Sequence, residues 1–516
     1  MENEVAHSVI INGLKALQHR GQDSAGIATG VRGISKEMVK GLASNFADEK
    51  INELKSAVGI GHVRYCTAGS PGLKDAQPVV VYTGKGRTLA IAFNGNVVNA
   101  RALRKSVHKT GHEFISDADG EVLAALIASY IKDGNEMEYA LTKMMQKVDG
   151  GYSMVVLTSN RELYAVRDPH GLRPLSMGKF YGSWKNKIQK CDLKWKTGRD
   201  GEPVLEDRDS YPDGDVTGVM FASESVAIDA NGAAHWKHLN PGEMISVKRN
   251  PGGLEIDSKI IGEAKPAHCL FEFVYFMRAD SIGDGERPIS SVRYELGRQL
   301  AIEYGRWTPE TKPDIIVPVP DTARTAAEGI NAVTGIPIRE GLMKNRYSPR
   351  TFIMPTQEER DKNVDLKLNP ISAVVKGKNI LLVDDSIVRG TTMHNIIVKL
   401  RKAGARRVEM WSTCPPIVSP CFYGIDMPNH KELVAANNSV EEIGRAIGAD
   451  MLRYQTEKGL ETAIGLDGKL CKGCISGTYP TQQAQRIAVD IRLRGGSGAR
   501  RYTERANGKK AVPVPA

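Results

Sequence analysis

Residues Ile380 to Thr392 read I-L-L-V-D-D-S-I-V-R-G-T-T, an order of residue types that can bind a phosphorylated sugar. Four apolar residues suit a buried strand of a parallel sheet, and the acidic pair Asp384-Asp385 ends that strand abruptly, so its tip faces a ligand. Ser386, Gly390, Thr391 and Thr392 follow. Met393, Ile397 and Leu400 then recur at helical spacing, with Lys399, Arg401 and Lys402 near the end and Gly404 as a cap. A small-residue loop that opens a helix aims backbone N–H groups and the positive end of the helix dipole at an anion, most often a phosphate. Two carboxylates beside that phosphate fit sugar hydroxyls. A second stretch, D-I-I-V-P-V-P-D-T-A-R from Asp314 to Arg324, repeats the plan of buried strand, loop and helix start, and its Asp321, Thr322 and Ala323 can present N–H groups to a diphosphate.

The string from Ile380 to Thr392 resembles the phosphoribosyl diphosphate (PRPP) loop of type I phosphoribosyltransferases. The wider chain, roughly Leu14 to Pro480, resembles the amidophosphoribosyltransferase family, glutamine-dependent enzymes that open purine synthesis. The resemblance implies that Asp384 and Asp385 hold the ribose hydroxyls and Mg2+, with Thr322 joining the magnesium shell. It gives the 5-phosphate to Ser386, Gly390, Thr391 and Thr392, and the diphosphate to the Asp321-Thr322 loop. K-N-R-Y-S-P-R-T-F-I, Lys344 to Ile353, is similar to the family's flexible loop, which folds over PRPP. There Lys344, Arg346 and Arg350 neutralise diphosphate while Tyr347, Phe352 and Ile353 exclude water. Ser348-Pro349 and Asp365 depart from the family's usual residues.

Ahead of this half, Q-H-R-G-Q-D-S-A-G-I (Gln18 to Ile27) and G-H-V-R-Y-C-T-A-G (Gly61 to Gly69) resemble class II glutamine amidotransferases. The likeness implies that Arg64 holds the glutamine carboxylate, Asn94 and Gly95 form an oxyanion hole, and Asp119 grips the α-amino group. An Asn amide and a Gly N–H can converge on a tetrahedral oxyanion without steric cost. Phe93 and Gly120 replace a usual His and a small hydroxyl residue. The same family acts through an N-terminal cysteine. Here the chain begins Met1-Glu2, no cysteine precedes H-R-G-Q-D, and the strand that should carry it is missing too. Cys66, with no free α-amine, reads as packing. Because the rest of the glutamine site is written out, a start codon set too late or a truncated gene is the expected cause; true loss, with ammonia as donor, is the other.

Seven cysteines in a chain of 516 residues argue against a disulfide framework. The C-x-x-C of Cys471 and Cys474 is by itself compatible with zinc, redox chemistry or neither. With Cys269 and Cys421 it matches the iron-sulfur branch of the family, which implies a structural [4Fe-4S] cluster; four thiolates are also a full zinc set. Cys66, Cys191 and Cys414 remain free thiols.

Length and 41% hydrophobic content suit two domains. Residues 1–263 are expected to form an N-terminal-nucleophile hydrolase (α+β) domain of stacked antiparallel sheets between helix layers, with a surface insertion over 180–217. Residues 264–480 should form the α/β phosphoribosyltransferase domain, a doubly wound parallel sheet. A net charge of +10 invites a nucleic-acid partner, but six of those charges sit in 481–516, read as a flexible basic tail. No 18-residue apolar run and no targeting peptide is readable, so a cytoplasmic enzyme with no membrane or nucleic-acid partner is expected. The resemblance adds purine nucleotide feedback inhibitors and a homo-oligomer, dimer or tetramer. The rival reading is a non-catalytic PRPP-sensing regulator.

Overall fold

The computed structural model describes residues 5–31, 33–65, 72–182, 195–197, 203–205, 216–345, 368–427 and 429–493. In the N-terminal half, a six-stranded antiparallel sheet takes the spatial order Gly253–Ile260, Glu243–Asn250, Leu163–Arg167, Gly150–Thr158, Arg87–Val97 and Val79–Gly84. One face is covered by helices Ala100–His108, Asp119–Lys132 and Met137–Lys147, whose Leu103, Val122, Leu126 and Met144 meet Leu89, Ile91 and Val156 of the sheet. Against the other face lie two three-stranded sheets. One joins Ser35–Lys40, Ser24–Thr29 and Gly59–Arg64; the other joins Val216–Ala222, Ser176–Tyr181 and Ala234–His238. Helices Ala6–Ala16 and Ser225–Asp229 close the outer side through Val9, Leu14, Val226 and Ile228. These are the expected stacked antiparallel sheets between helix layers. Strand Arg87–Val97 is buried almost continuously from Leu89 to Phe93 because it is covered on both faces.

The C-terminal half holds a parallel sheet in the order Ile315–Pro318, Asn379–Asp384, Arg407–Ser412 and Met451–Tyr454. Alternation along Asn379–Asp384 explains the two covering layers. Ile380 and Leu382 meet Met393, Ile397 and Leu400 on one face, whereas Leu381 and Val383 meet Ala327, Ile330 and Leu300 on the other. After Ile315–Pro318 the chain passes through helix Arg324–Thr334 to pair Ile338 beside Ile316, and then crosses back to Asn379–Asp384. Strand order therefore reverses between Ile315–Pro318 and Asn379–Asp384, and the crevice beyond their carboxyl ends is where doubly wound sheets bind ligands.

Helices Ile289–Tyr304 and Arg324–Thr334 cross where two glycines meet. A Cβ on Gly297 would stand 1.9 Å from the Ala326 carbonyl oxygen, and one on Gly329 1.9 Å from that of Tyr294. Gly297→Ala is therefore expected to destabilise the transferase half by about 1–3 kcal/mol or more. The urea midpoint measures this, and an unchanged midpoint would contradict the crossing.

One segment holds detail beyond the sequence reading, and a second differs from expectation. Within 180–217 the described residues hold a hairpin, Trp195–Thr197 paired with Pro203–Leu205, while Ser176–Tyr181 and Val216–Ala222 continue the hydrolase sheet into its ends. The tail reading of 481–516 is corrected at its start: Gln482–Leu493 is a helix that buries Ala484, Ile487, Ala488 and Ile491. Counting charge concealed that i, i+3, i+4, i+7 stripe, which packs on Phe422, Tyr423 and Leu172. Residues 494–516 lie outside the described residues.

Candidate active sites

At the strand-order reversal, Asp384 closes its strand opposite Ser412 and Asp385 follows it. Asp385 accepts hydrogen bonds from Ser386 Oγ at 2.6 Å and from the Thr322 hydroxyl, which ties the two strand-end loops together. Its own N–H donates to Asp384 Oδ1 at 2.9 Å. Burial, and then the neighbouring Asp385, push the Asp384 carboxyl well above the usual carboxylate range; burial also raises Asp385, against hydrogen bonds from Ser386 and Thr322 and the charge of Arg293. Two acids side by side, one half-buried and one buried, become a full pair of carboxylates when a cation reaches them. Gly390, at φ +78°, caps helix Thr391–Lys402, so the first-turn N–H groups of Thr391 and Thr392 lie at its open end. Lys399, Arg401 and Lys402 occupy the last turn, as expected. In the facing loop, Lys344 Nζ lies 2.5 Å from Asp321 Oδ2. Tyr347, Arg350 and Ile353 lie outside the described residues.

Arg64, Asn94, Gly95 and Asp119, called from separate strings, line one cleft of about 140 Å³. Arg64 ends an edge strand, buried, with Asp75 Oδ2 3.9 Å from its guanidinium. The Asn94 amide nitrogen is buried with no hydrogen-bond partner among the described residues. Gly95 has φ +146°, and a Cβ there would meet the Gly151 carbonyl oxygen at 2.0 Å, so only glycine fits. Asp119 opens helix Asp119–Lys132 and accepts the Val97 N–H at 2.9 Å; burial pushes its carboxyl up to about 6. Sequence reasoning missed the far wall. Phe276, Gly424 and Asp426 of the transferase half complete the cleft, with Tyr65 Oη donating to Asp426 at 3.3 Å.

A longer apolar slot of about 230 Å³ runs between the two three-stranded sheets. Gly59–Arg64 and Val216–Ala222 are the edge strands that border it, each paired within its own sheet on one side. Ala6, whose N–H donates to Ser56, stands at one end, and His62, Asn94 and Ser223 stand toward the cleft. Cys66 and Cys191 lie outside the described residues.

The two halves are joined by a buried ionic network. Arg20 reaches Glu224 at 2.6 Å and Glu272 at 2.7 Å, and Glu224 also accepts from His19, Ser281 and the Arg278 N–H. Arg167 grips Asp284 with two bonds of 2.7 and 2.8 Å. Taken singly, His19 and Arg20 look like surface charge. Their partners lie more than 200 residues away, and no local signal announces them.

Cys269 and Cys471 sit opposite one another in a short parallel pair, and Cys474 follows one helical turn later. Together with Cys421 they lie within electrostatic reach of one another. Burial raises all four thiols, while backbone N–H groups point at three of the sulfurs: Glu272 to Cys269, Tyr423 to Cys421 and Gly473 to Cys471. Buried thiols supplied with N–H donors suit thiolates bound to a positively charged group. Among the described residues, however, no group of three or more His, Cys, Asp or Glu is set to hold a single metal ion. Cys414 is buried in the adjoining apolar core. Among the described residues no helix is long and apolar enough to cross a membrane.

Comparison with known proteins accounts for this pairing of sites. Residues 68–205 match a glutamine amidotransferase domain and residues 295–416 a phosphoribosyl transferase domain. The chain is 41% identical over 477 residues to the amidophosphoribosyltransferase of Methanothermobacter thermautotrophicus, covering 92% of this chain and 91% of that one. It is 36% identical to that of Bacillus subtilis over 488 residues, covering 93% and 92%. Among solved structures, the B. subtilis glutamine PRPP amidotransferase complexed with ADP and GMP superimposes with a TM-score of 0.77 at 35% identity, over 93% of this chain and 95% of that one. The chain belongs to the amidophosphoribosyltransferase family.

Proposed function

We propose that the chain transfers nitrogen from glutamine or ammonia to C1 of PRPP, releasing diphosphate and forming 5-phosphoribosylamine. The observation that carries this is the adjacent pair of half-buried Asp384 and buried Asp385, the latter bonded to Thr322 across the strand-order reversal and followed by an open helix N-terminus. Asp384 and Asp385 accept the ribose hydroxyls. Ser386, Gly390, Thr391 and Thr392 surround the 5-phosphate with N–H and hydroxyl donors. Lys344 exchanges Asp321 for the diphosphate, joined by Arg350, with Tyr347 and Ile353 covering the site. As the C1–O bond breaks, the ring becomes oxocarbenium-like; the ammonia lone pair forms the C1–N bond and a proton leaves the new amine. Mg2+, which needs few protein oxygens because it shares substrate phosphates, supplies positive charge to the leaving diphosphate beside Thr322, Asp384 and Asp385.

In the other half, Arg64 takes the glutamine carboxylate, ionised Asp119 its ammonium, and Asn94 with Gly95 the oxyanion. The family's regulators, purine nucleotides, and a homo-oligomer complete the reading, with the enzyme working in the cytoplasm.

The four cysteines, Cys269, Cys421, Cys471 and Cys474, hold a [4Fe-4S] cluster that ties the C-terminal segment to the transferase half. Four irons and four sulfides per chain are expected in anaerobically purified protein, by metal and sulfide analysis. Cys471→Ser should lower both the iron content and the thermal midpoint, because metal-site formation is coupled to folding. Stoichiometric zinc without sulfide would refute the cluster.

A further inference from the structure

We propose that the Cys421–Asp426 segment acts as a strut through which the group held by the four cysteines sets the shape of the glutamine cleft, with Asn96 as the positioning residue that couples them. The inference rests on reading the cleft as the glutamine site and the cysteines as one cluster site. Cys421 anchors the segment at one end, its sulfur accepting the Tyr423 N–H at 3.3 Å. One residue further, the Phe422 carbonyl accepts Asn96 Nδ2 at 2.9 Å, and Asn96 directly follows Gly95 of the oxyanion site. Gly424 then lies against Gly95 itself. At φ +96°, a Cβ on Gly424 would stand 2.9 Å from the Gly95 carbonyl oxygen, so the two backbones are in contact.

A second brace reaches the same place from another cysteine. Arg173 donates to the Gly424 carbonyl at 3.2 Å and pairs with Glu272 at 3.1 Å, and the Glu272 N–H points at Cys269. Two of the four cysteines thus end in contacts on one short stretch of backbone, and that stretch walls the cleft. A shift of Cys421 on loss of the group would be passed to Gly95 through contacts with no slack, since backbone meets backbone there. Neither brace touches Asp384 or Asp385, so the effect belongs to glutamine and not to PRPP.

Glutamine that fixes the cleft wall also holds Cys421 in place through the same contacts, which provides a test that does not require the cluster-free protein to stay folded. Iron release from the anaerobic full-length chain to a ferrous-iron chelator is followed by absorbance, with and without saturating L-glutamine, and calorimetry records glutamine binding to the same protein. Glutamine is expected to slow iron release at least about fivefold. Asn96→Ala should keep four irons per chain and unchanged PRPP binding, yet bind glutamine at least about fivefold more weakly and lose the protection. Glutamine binding with no change in iron release would overturn the strut while leaving the glutamine site standing. Protection that survives in Asn96→Ala would overturn the role of Asn96. Absence of glutamine binding in calorimetry, or absence of iron, would overturn the proposal together with the reading it rests on.

Discussion

Asp384→Asn and Asp385→Asn should each lower turnover of PRPP with ammonia at least about a hundredfold while leaving the fold intact. Asparagine keeps the shape of the side chain, so at position 385 one of the Thr322 and Ser386 hydroxyls keeps its acceptor and the other can turn to accept from the new NH2. What is lost is charge that only a bound cation and a sugar need. Stability should move the other way. Both carboxyls are raised in the folded chain, mainly by burial, so each favours folding less as pH rises above its unfolded value. Near neutrality the amides remove that cost, and the thermal midpoint should equal or exceed that of the unsubstituted chain. Diphosphate release and thermal unfolding check both halves of the expectation. Turnover within a few fold of the unsubstituted chain in both variants would remove the acids from the reaction.

Glu224→Gln should cost about 3 kcal/mol of stability, at the low end for breaking a buried ion pair because Arg20 keeps Glu272. Glu224 is fully buried and accepts from the Arg20 and His19 side chains, a hydroxyl and a backbone N–H. Burial works against its charge, but Arg20 and His19 outweigh it and hold the carboxyl far below its usual value of 4.5. A depressed acid stabilises the fold above its unfolded pKa and loses that contribution as pH falls below it. The unsubstituted chain should therefore weaken steeply below about pH 4.5, and Glu224→Gln less steeply. Urea midpoints between pH 7 and pH 4 measure the difference; equal slopes would assign the pH dependence to other groups.

The strand, loop and helix around Asp384 and Asp385 were legible because their residues are contiguous. Strand, acidic pair, glycine cap and helix follow one another within Ile380–Lys402, so local spacing carried the geometry. The four residues that line the N-terminal cleft were legible as strings, although only folding brings Arg64 from one sheet to Asn94 of another. The ionic seam between the halves was not legible. Arg20 gives no hint of Glu272, since their pairing depends on how two independently patterned layers dock. Gly424 is equally silent, because its importance is the absence of a side chain opposite Gly95. The terminal helix was hidden for a different reason: basic residues on its exposed face dominated a charge count, while its buried stripe is mostly alanine and isoleucine.

The most direct test of nitrogen transfer to PRPP compares nitrogen sources for the polypeptide of residues 1–516, measuring diphosphate release with Mg2+ and PRPP. Ammonia is supplied at high pH, where the free base is abundant, and glutamine in parallel. The expected result is release with ammonia that Asp384→Asn lowers at least about a hundredfold. Unchanged release in Asp384→Asn would contradict the place given to PRPP. Silence with both nitrogen sources would contradict the transferase reading and favour a PRPP-sensing protein without chemistry.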